Sequence, residues 1–205
     1  MARRAPVTAR PQCAFQAVAY DAERGELLLL DQTLIPREEK FLRLAQVDDM
    51  VEAIRSLRVR GAPAIGVAAA YGLCAVARHS RALTIQELEA ELDAAADRLD
   101  ATRPTAVNLM HAVARMRREI NGGAANARAL IAALEKTARQ LHGEELAASE
   151  QMGKHAFKLF RDGDGVLTHC NTGALAAPGV GTALGTVVYA LRNGKRLHVY
   201  ADETR

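Results

Sequence analysis

The sequence predicts an α/β protein: a mainly helical N-terminal domain carrying a small β-hairpin, then one strand–helix–strand unit that begins a Rossmann-like parallel sheet. Three observations predict it. Apolar residues recur at helical spacing through most of the stretch from Val47 to Phe160. The turn-forming run Arg161-Asp162-Gly163-Asp164-Gly165 ends that pattern, and short strand-like runs replace it. Of the 205 residues 49% are hydrophobic, yet Trp is absent and aromatic residues make up 4%, so the core must come from aliphatic side chains and close helix contacts. The domains divide as 1–145 and 146–205.

Two apolar runs, Phe15 to Tyr20 and Leu27 to Leu30, flank Asp21-Ala22-Glu23-Arg24-Gly25 and predict the hairpin. Val47, Met50, Val51, Ile54 and Leu57 follow Asp48 and Asp49 at the spacing of an amphipathic helix. Gly61 and Pro63 break it, and Pro63 suits the first turn of the next helix. That helix, from about Ala64 to Arg78, is apolar on every face and should be buried. Thr84-Ile85-Gln86-Glu87 fits a capping box for a helix that stops before Pro104. Leu109, Val113, Met116 and Ile120 mark another, ended by Asn121-Gly122-Gly123. Leu130, Leu134 and Leu141 mark a long helix reaching towards Phe160, with a break expected near Gly143.

In the second part, Val166 to Cys170 reads as a short buried strand, Thr182 to Arg192 as a helix and Leu197 to Ala201 as a second strand. Strand, helix and strand in this order predict a parallel, right-handed βαβ unit. A parallel sheet is normally covered on both faces and has several such units, so the expectation is the front part of a longer, C-terminally truncated architecture, or a last strand that something else covers.

The formal net charge of +3 is too small to argue for nucleic acid, which wants a clustered basic stripe, and leaves anionic small molecules open. The basic start Met1-Ala2-Arg3-Arg4 lacks a following apolar region, and no apolar run approaches the roughly 20 residues of a bilayer span. Cys13, Cys74 and Cys170 are far apart and lack metal or redox spacing. The expectation is a cytoplasmic chain with no metal, no nucleic acid and no membrane partner.

Cys170 is predicted where a strand gives way to a loop and helix, the crevice in which open α/β sheets place ligands. Backbone N–H groups of Asn171 to Gly173 aimed at its sulfur would favour the thiolate; otherwise it is a buried structural cysteine. Arg60-Gly61-Ala62-Pro63 sets a guanidinium and open amides at a helix N-terminus, and Arg103-Pro104 adds a second arginine before a helix. Together they suit a phosphate, while each alone reads rather as a solvated boundary arginine. Gly179 to Gly185 misses the dinucleotide fingerprint by one residue and reads as tight packing. His169 should face away from Cys170, and Asp202 and Glu203 either line its crevice or are plain loop acids.

Four separated stretches, Arg58 to Gly72, Thr102 to Leu109, Thr168 to Ala176 and Ala201 to Arg205, together with Leu29-Leu30-Asp31-Gln32-Thr33, resemble the S-methyl-5-thioribose-1-phosphate isomerases. That family lies within the initiation factor 2B alpha/beta/delta-like superfamily. The resemblance implies an aldose–ketose isomerase of methionine salvage that converts 5-methylthioribose 1-phosphate to 5-methylthioribulose 1-phosphate. It implies no cofactor, a sugar-phosphate substrate and a homodimer. Arg60, Gly61, Ala62 and Arg103 would bind substrate, chiefly its phosphate, and Cys170 would be one of two catalytic residues. The family's catalytic aspartate and a phosphate-binding lysine fall beyond the Asp202-Glu203-Thr204-Arg205 segment, so the 205-residue chain is expected to be inactive alone. Two alternatives stand beside this reading. One is a ribose-1,5-bisphosphate isomerase, and the other a non-catalytic initiation factor 2B-like regulatory or binding subunit.

Overall fold

A computed structural model describes residues 16–202; Cys13, Phe15 and Glu203 lie outside the described residues. The N-terminal strands β1 (Val18–Asp21) and β2 (Glu26–Leu30) form the expected antiparallel hairpin, with Val18 opposite Leu29 and Asp21 opposite Glu26. A strand that the sequence reading missed, β3 (Phe41–Leu44), pairs with the other edge of β2, Leu27 opposite Leu44. Leu27, Leu29 and Leu44 are buried and turn the sheet's apolar face onto the helices.

The helices follow as α1 (Val47–Arg55), α2 (Ala62–His79), α3 (Ile85–Asp100), α4 (Val107–Ile120) and α5 (Ala127–Phe157). α3 opens on the expected capping box: Thr84 accepts from the Glu87 N–H while the Glu87 carboxylate accepts from the Thr84 N–H. α2 is the axis of the domain. Every residue from Ala64 to Ala77 is buried, and the helix packs against α3, α4, α5 and the sheet. Its small side chains are what allow this, since a Cβ on Gly66 would press into the Asn108 carbonyl of α4. α5 departs from expectation by running unbroken through Gly143, an exposed helical position.

The second part contains β4 (Gly165–Thr168), α6 (Ala183–Arg192) and β5 (His198–Ala201). The strands pair in parallel, with Gly165 opposite His198 and Thr168 opposite Ala201, as the sequence order requires. α6 docks on α5, where Gly153 leaves room for the Tyr189 ring. The expectation of a buried strand fails for β4. Of both strands only Thr168 is buried, because no element among the described residues covers the rest of the sheet.

Candidate functional site

β4 ends at Thr168, and the chain turns sharply at Cys170, a non-glycine residue held at φ +65°. L-residues rarely occupy that region, and such strain gathers where a side chain must be aimed. The following loop is built by its own hydrogen bonds. The Thr172 hydroxyl accepts from the Leu184 N–H (2.8 Å) and meets the Thr182 hydroxyl (3.1 Å), tying the loop's start to the first turn of α6. The Gly173 carbonyl accepts from the N–H groups of Ala176 and Ala177. Gly181 crosses directly over Gly173, where any Cβ would overlap the backbone, so this part of the glycine run serves chain packing as its spacing suggests.

The same loop is fastened to the helical domain. The Ala176 carbonyl accepts from the Ala64 N–H in the first turn of α2 (3.1 Å). The Gln32 side chain donates from Nε2 to the Leu175 carbonyl (2.8 Å), and the Gln32 N–H donates to the Arg58 carbonyl (2.9 Å). Gln32 is held there by a half-buried ion pair on its neighbour: Asp31, 2% exposed, accepts from the partly exposed Arg58 at 2.5 Å and from the Thr33 hydroxyl at 2.6 Å. Arg58 also grips Glu52. Burial alone would raise the Asp31 carboxyl, but the Thr33 and Arg58 hydrogen bonds outweigh it and hold the group below the usual carboxylate range.

Between these walls opens a cleft of about 300 Å³. Gln32 and Arg60 line it from the helical domain, and Thr168, Cys170, Asn171 and Asp202 from the strand ends; Ile35, Leu175 and Leu184 add apolar surface. Arg60 anchors its Nε on the Leu57 carbonyl (3.3 Å), which leaves its terminal amino groups for a ligand. The cleft thus joins a guanidinium, a thiol, an amide, a hydroxyl and a carboxylate around apolar walls, a set suited to a small polar anion.

Of the residues singled out from sequence, Arg60 and Cys170 share this cleft. Gly61 is the N-cap of α2 at φ +84°, and Ala62 is its first residue; neither side lines the cleft itself. The amides there are less open than expected, because Pro63 has none and the Ala64 N–H is committed to Ala176. Arg103 sits on the turn between α3 and α4, its carbonyl accepting from the Ala106 N–H, and is not part of the cleft wall. His169 pairs with Asp202 across the strand ends, which lowers the Asp202 carboxyl through that hydrogen bond. Thr168 and Gln32 were not foreseen as site residues. Gln32 stood in a noted motif, but its partner Leu175 lies 143 positions away. Among the described residues no group of His, Cys, Asp and Glu could hold a metal ion, and no helix is long and apolar enough to cross a membrane.

Residues 58–205 match the family model of the initiation factor 2 subunit family. A methylthioribose-1-phosphate isomerase of Pelotomaculum thermopropionicum is 47% identical over 182 residues, 88% of this chain and 50% of that protein. A 5-deoxyribose 1-phosphate isomerase of Petrotoga mobilis is 42% identical over 89% of this chain and 53% of its own length. Among solved structures, the 5-methylthioribose 1-phosphate isomerase of Pyrococcus horikoshii superposes with a TM-score of 0.81 at 27% identity, covering 91% of this chain and 60% of that one. The translation initiation factor eIF-2B, subunit delta, from A. fulgidus gives 0.82 at 37% identity, covering 94% and 55%. The chain spans about half the length of the curated relatives it matches.

Proposed function

The chain belongs to the initiation factor 2 subunit family, and from that premise we propose that its cleft binds a pentose 1-phosphate and supplies the thiol of an aldose–ketose isomerase. The substrate proposed is 5-methylthioribose 1-phosphate, the product 5-methylthioribulose 1-phosphate, and the setting methionine salvage in the cytoplasm by a homodimer. One observation carries the reading: Arg60 and Cys170, more than a hundred residues apart, line one cleft whose two walls are hydrogen-bonded to each other. The names of the relatives from Pelotomaculum thermopropionicum and Petrotoga mobilis support the substrate class.

The chemistry explains why these groups are wanted. With a phosphate on C1 the sugar ring cannot open by simple hemiacetal reversal. The C1 to ring-oxygen bond must break as that oxygen takes a proton. The hydrogen on C2 moves to C1, and the C2 hydroxyl loses its proton to become the ketone; no external oxidant is needed. Cys170 is assigned to that hydrogen or to stabilising its transfer, in a pocket that apolar side chains shield from water. Arg60, which lines the cleft, is assigned to the substrate, chiefly its phosphate; the resemblance adds Gly61 and Ala62 beside it and Arg103, which stand outside the cleft wall.

A second reading is a non-catalytic subunit that works by protein contact. The exposed β4–β5 sheet and the likeness to the A. fulgidus protein favour it. One assay separates the two. The chain, and the chain joined to the remaining C-terminal portion of the Pelotomaculum thermopropionicum relative, are tested on 5-methylthioribose 1-phosphate with Cys170→Ala beside each. The expected result is turnover by the extended protein and a loss of at least a hundredfold in its alanine variant. An alanine variant equally fast would remove Cys170 from the mechanism, and no turnover in any form would leave the contact subunit as the reading.

A further inference from the structure

Thr168 is 6% exposed and lines the cleft, and its hydroxyl oxygen is buried without a hydrogen-bond partner among the described residues. That state is rare in folded proteins and costly, because the hydroxyl has given up water and received nothing in return. Valine has the same shape and would fill the position without that cost, so the hydroxyl is not explained by packing. The other hydroxyls around the site are committed. Thr172 is held by the Leu184 N–H and Thr182, and Thr33 by Asp31. The other orphaned side-chain atom among the described residues, Asp100 Oδ1, lies at the C-terminus of α3 and outside this cleft.

Its place in the chain says what would satisfy it. Thr168 is the last residue of β4, paired with Ala201 of β5, and stands two positions before Cys170. Two residues of extended chain separate their Cα atoms by at most about 7 Å, and Thr168 and Cys170 both line the one cleft. Arg60 on the facing wall offers the charge that a phosphate needs. A pentose 1-phosphate held by Arg60 and reacting at Cys170 carries one secondary hydroxyl on C2, a reacting carbon, and another on C3 beside it.

We propose that Thr168 is a substrate-binding residue of this cleft, its hydroxyl completing a hydrogen bond with the C2 or C3 hydroxyl of the bound sugar phosphate. The proposal rests on the sugar-phosphate reading above and adds to it a residue that sets specificity for a hydroxylated ring, since a buried polar group left unpaired is what rejects a deoxy analogue.

The test is calorimetric titration of the 205-residue chain and of its Thr168→Val and Thr168→Ser variants with 5-methylthioribose 1-phosphate and with its 2-deoxy and 3-deoxy analogues. Thr168→Val should bind the parent sugar about tenfold more weakly, and Thr168→Ser within about threefold of the unchanged chain. Against one of the two deoxy analogues the valine penalty should vanish, because the partner is already gone. The ligand-free melting temperature of Thr168→Val should equal or exceed that of the unchanged chain. Undiminished binding by Thr168→Val, or the same penalty on the parent and both analogues, overturns the assignment and leaves the sugar-phosphate reading in place. Failure of the unchanged chain to bind any of the three overturns both.

Discussion

Asp31 shows how one residue outside the cleft fixes its wall. Its carboxylate is buried beneath Arg58 and Thr33, and the adjacent Gln32 reaches the loop that carries Cys170. Removing Arg58 leaves a buried charge with only Thr33 to solvate it, so Arg58→Ala should cost about 3 kcal/mol at pH 7, read by denaturant melts. The pH dependence follows from the lowered Asp31 value. A carboxyl held below its ordinary range adds stability above about pH 4 and loses it as pH falls through the folded value. Without Arg58 only the Thr33 hydrogen bonds oppose burial and less of the advantage of ionisation remains, so the two proteins should draw together in stability as pH falls below about 4. A gap that stays constant down to pH 3 would show that the ion pair is not its source. Gly61 is the second such residue. At φ +84° and in contact with Ala176, it tolerates no Cβ, and Gly61→Ala should destabilise by more than about 2 kcal/mol while loosening the loop from α2. An unchanged melting curve would contradict that packing.

The elements differ in how far the sequence discloses them. α3 was readable from its capping box and α2 from its uninterrupted apolar faces, because both signals are local. β3 was not: four residues give no usable period, and the strand exists because β2 offers it an edge. α5 was expected to break at Gly143, yet intrinsic propensity there is overridden by packing on α2, α4 and α6. That override leaves a measurable residue of strain-free cost. Gly143 is exposed with nothing within reach of an added Cβ, so Gly143→Ala should stabilise the protein by about 0.5–1 kcal/mol in a thermal melt, and a loss of stability would mean that the helix is kinked there after all. The preceding residue gives the seam between α2 and α5 a pH response. His142 meets the Tyr71 hydroxyl at 3.0 Å, and burial lowers its pKa. Because the unfolded chain then binds a proton more readily than the folded one, stability should fall as pH drops below about 6.5. His142→Gln should flatten that slope between pH 6.5 and 5; an unaltered slope would point to other groups.

For the whole molecule, the site was legible in its parts and hidden in its assembly. Arg60 and Cys170 announced themselves through glycine, proline and strand-end chemistry, whereas Thr168 and Gln32 enter the cleft only through contacts that the fold creates. The burial of β4 was misjudged for a related reason: an apolar parallel strand is normally covered, and this incomplete sheet is open, as two strands alone imply. Leu167 is 75% exposed and Tyr200 60%, and the outer edge of β5 pairs with no strand among the described residues. An open edge beside apolar side chains is a template for another chain. The protein should therefore associate through β4 and β5, its mass by light scattering rising with concentration. Paired Leu167→Lys and Tyr200→Lys substitutions should lower that mass, because lysine on an exposed strand repels a second copy and remains solvated when the surface is free. Both positions face solvent, so the melting temperature should move little, which separates lost association from lost folding. A monomeric mass at every concentration, or association unaffected by both lysines, would place the contact elsewhere or remove it, and would weaken the protein-contact reading that the open sheet supports.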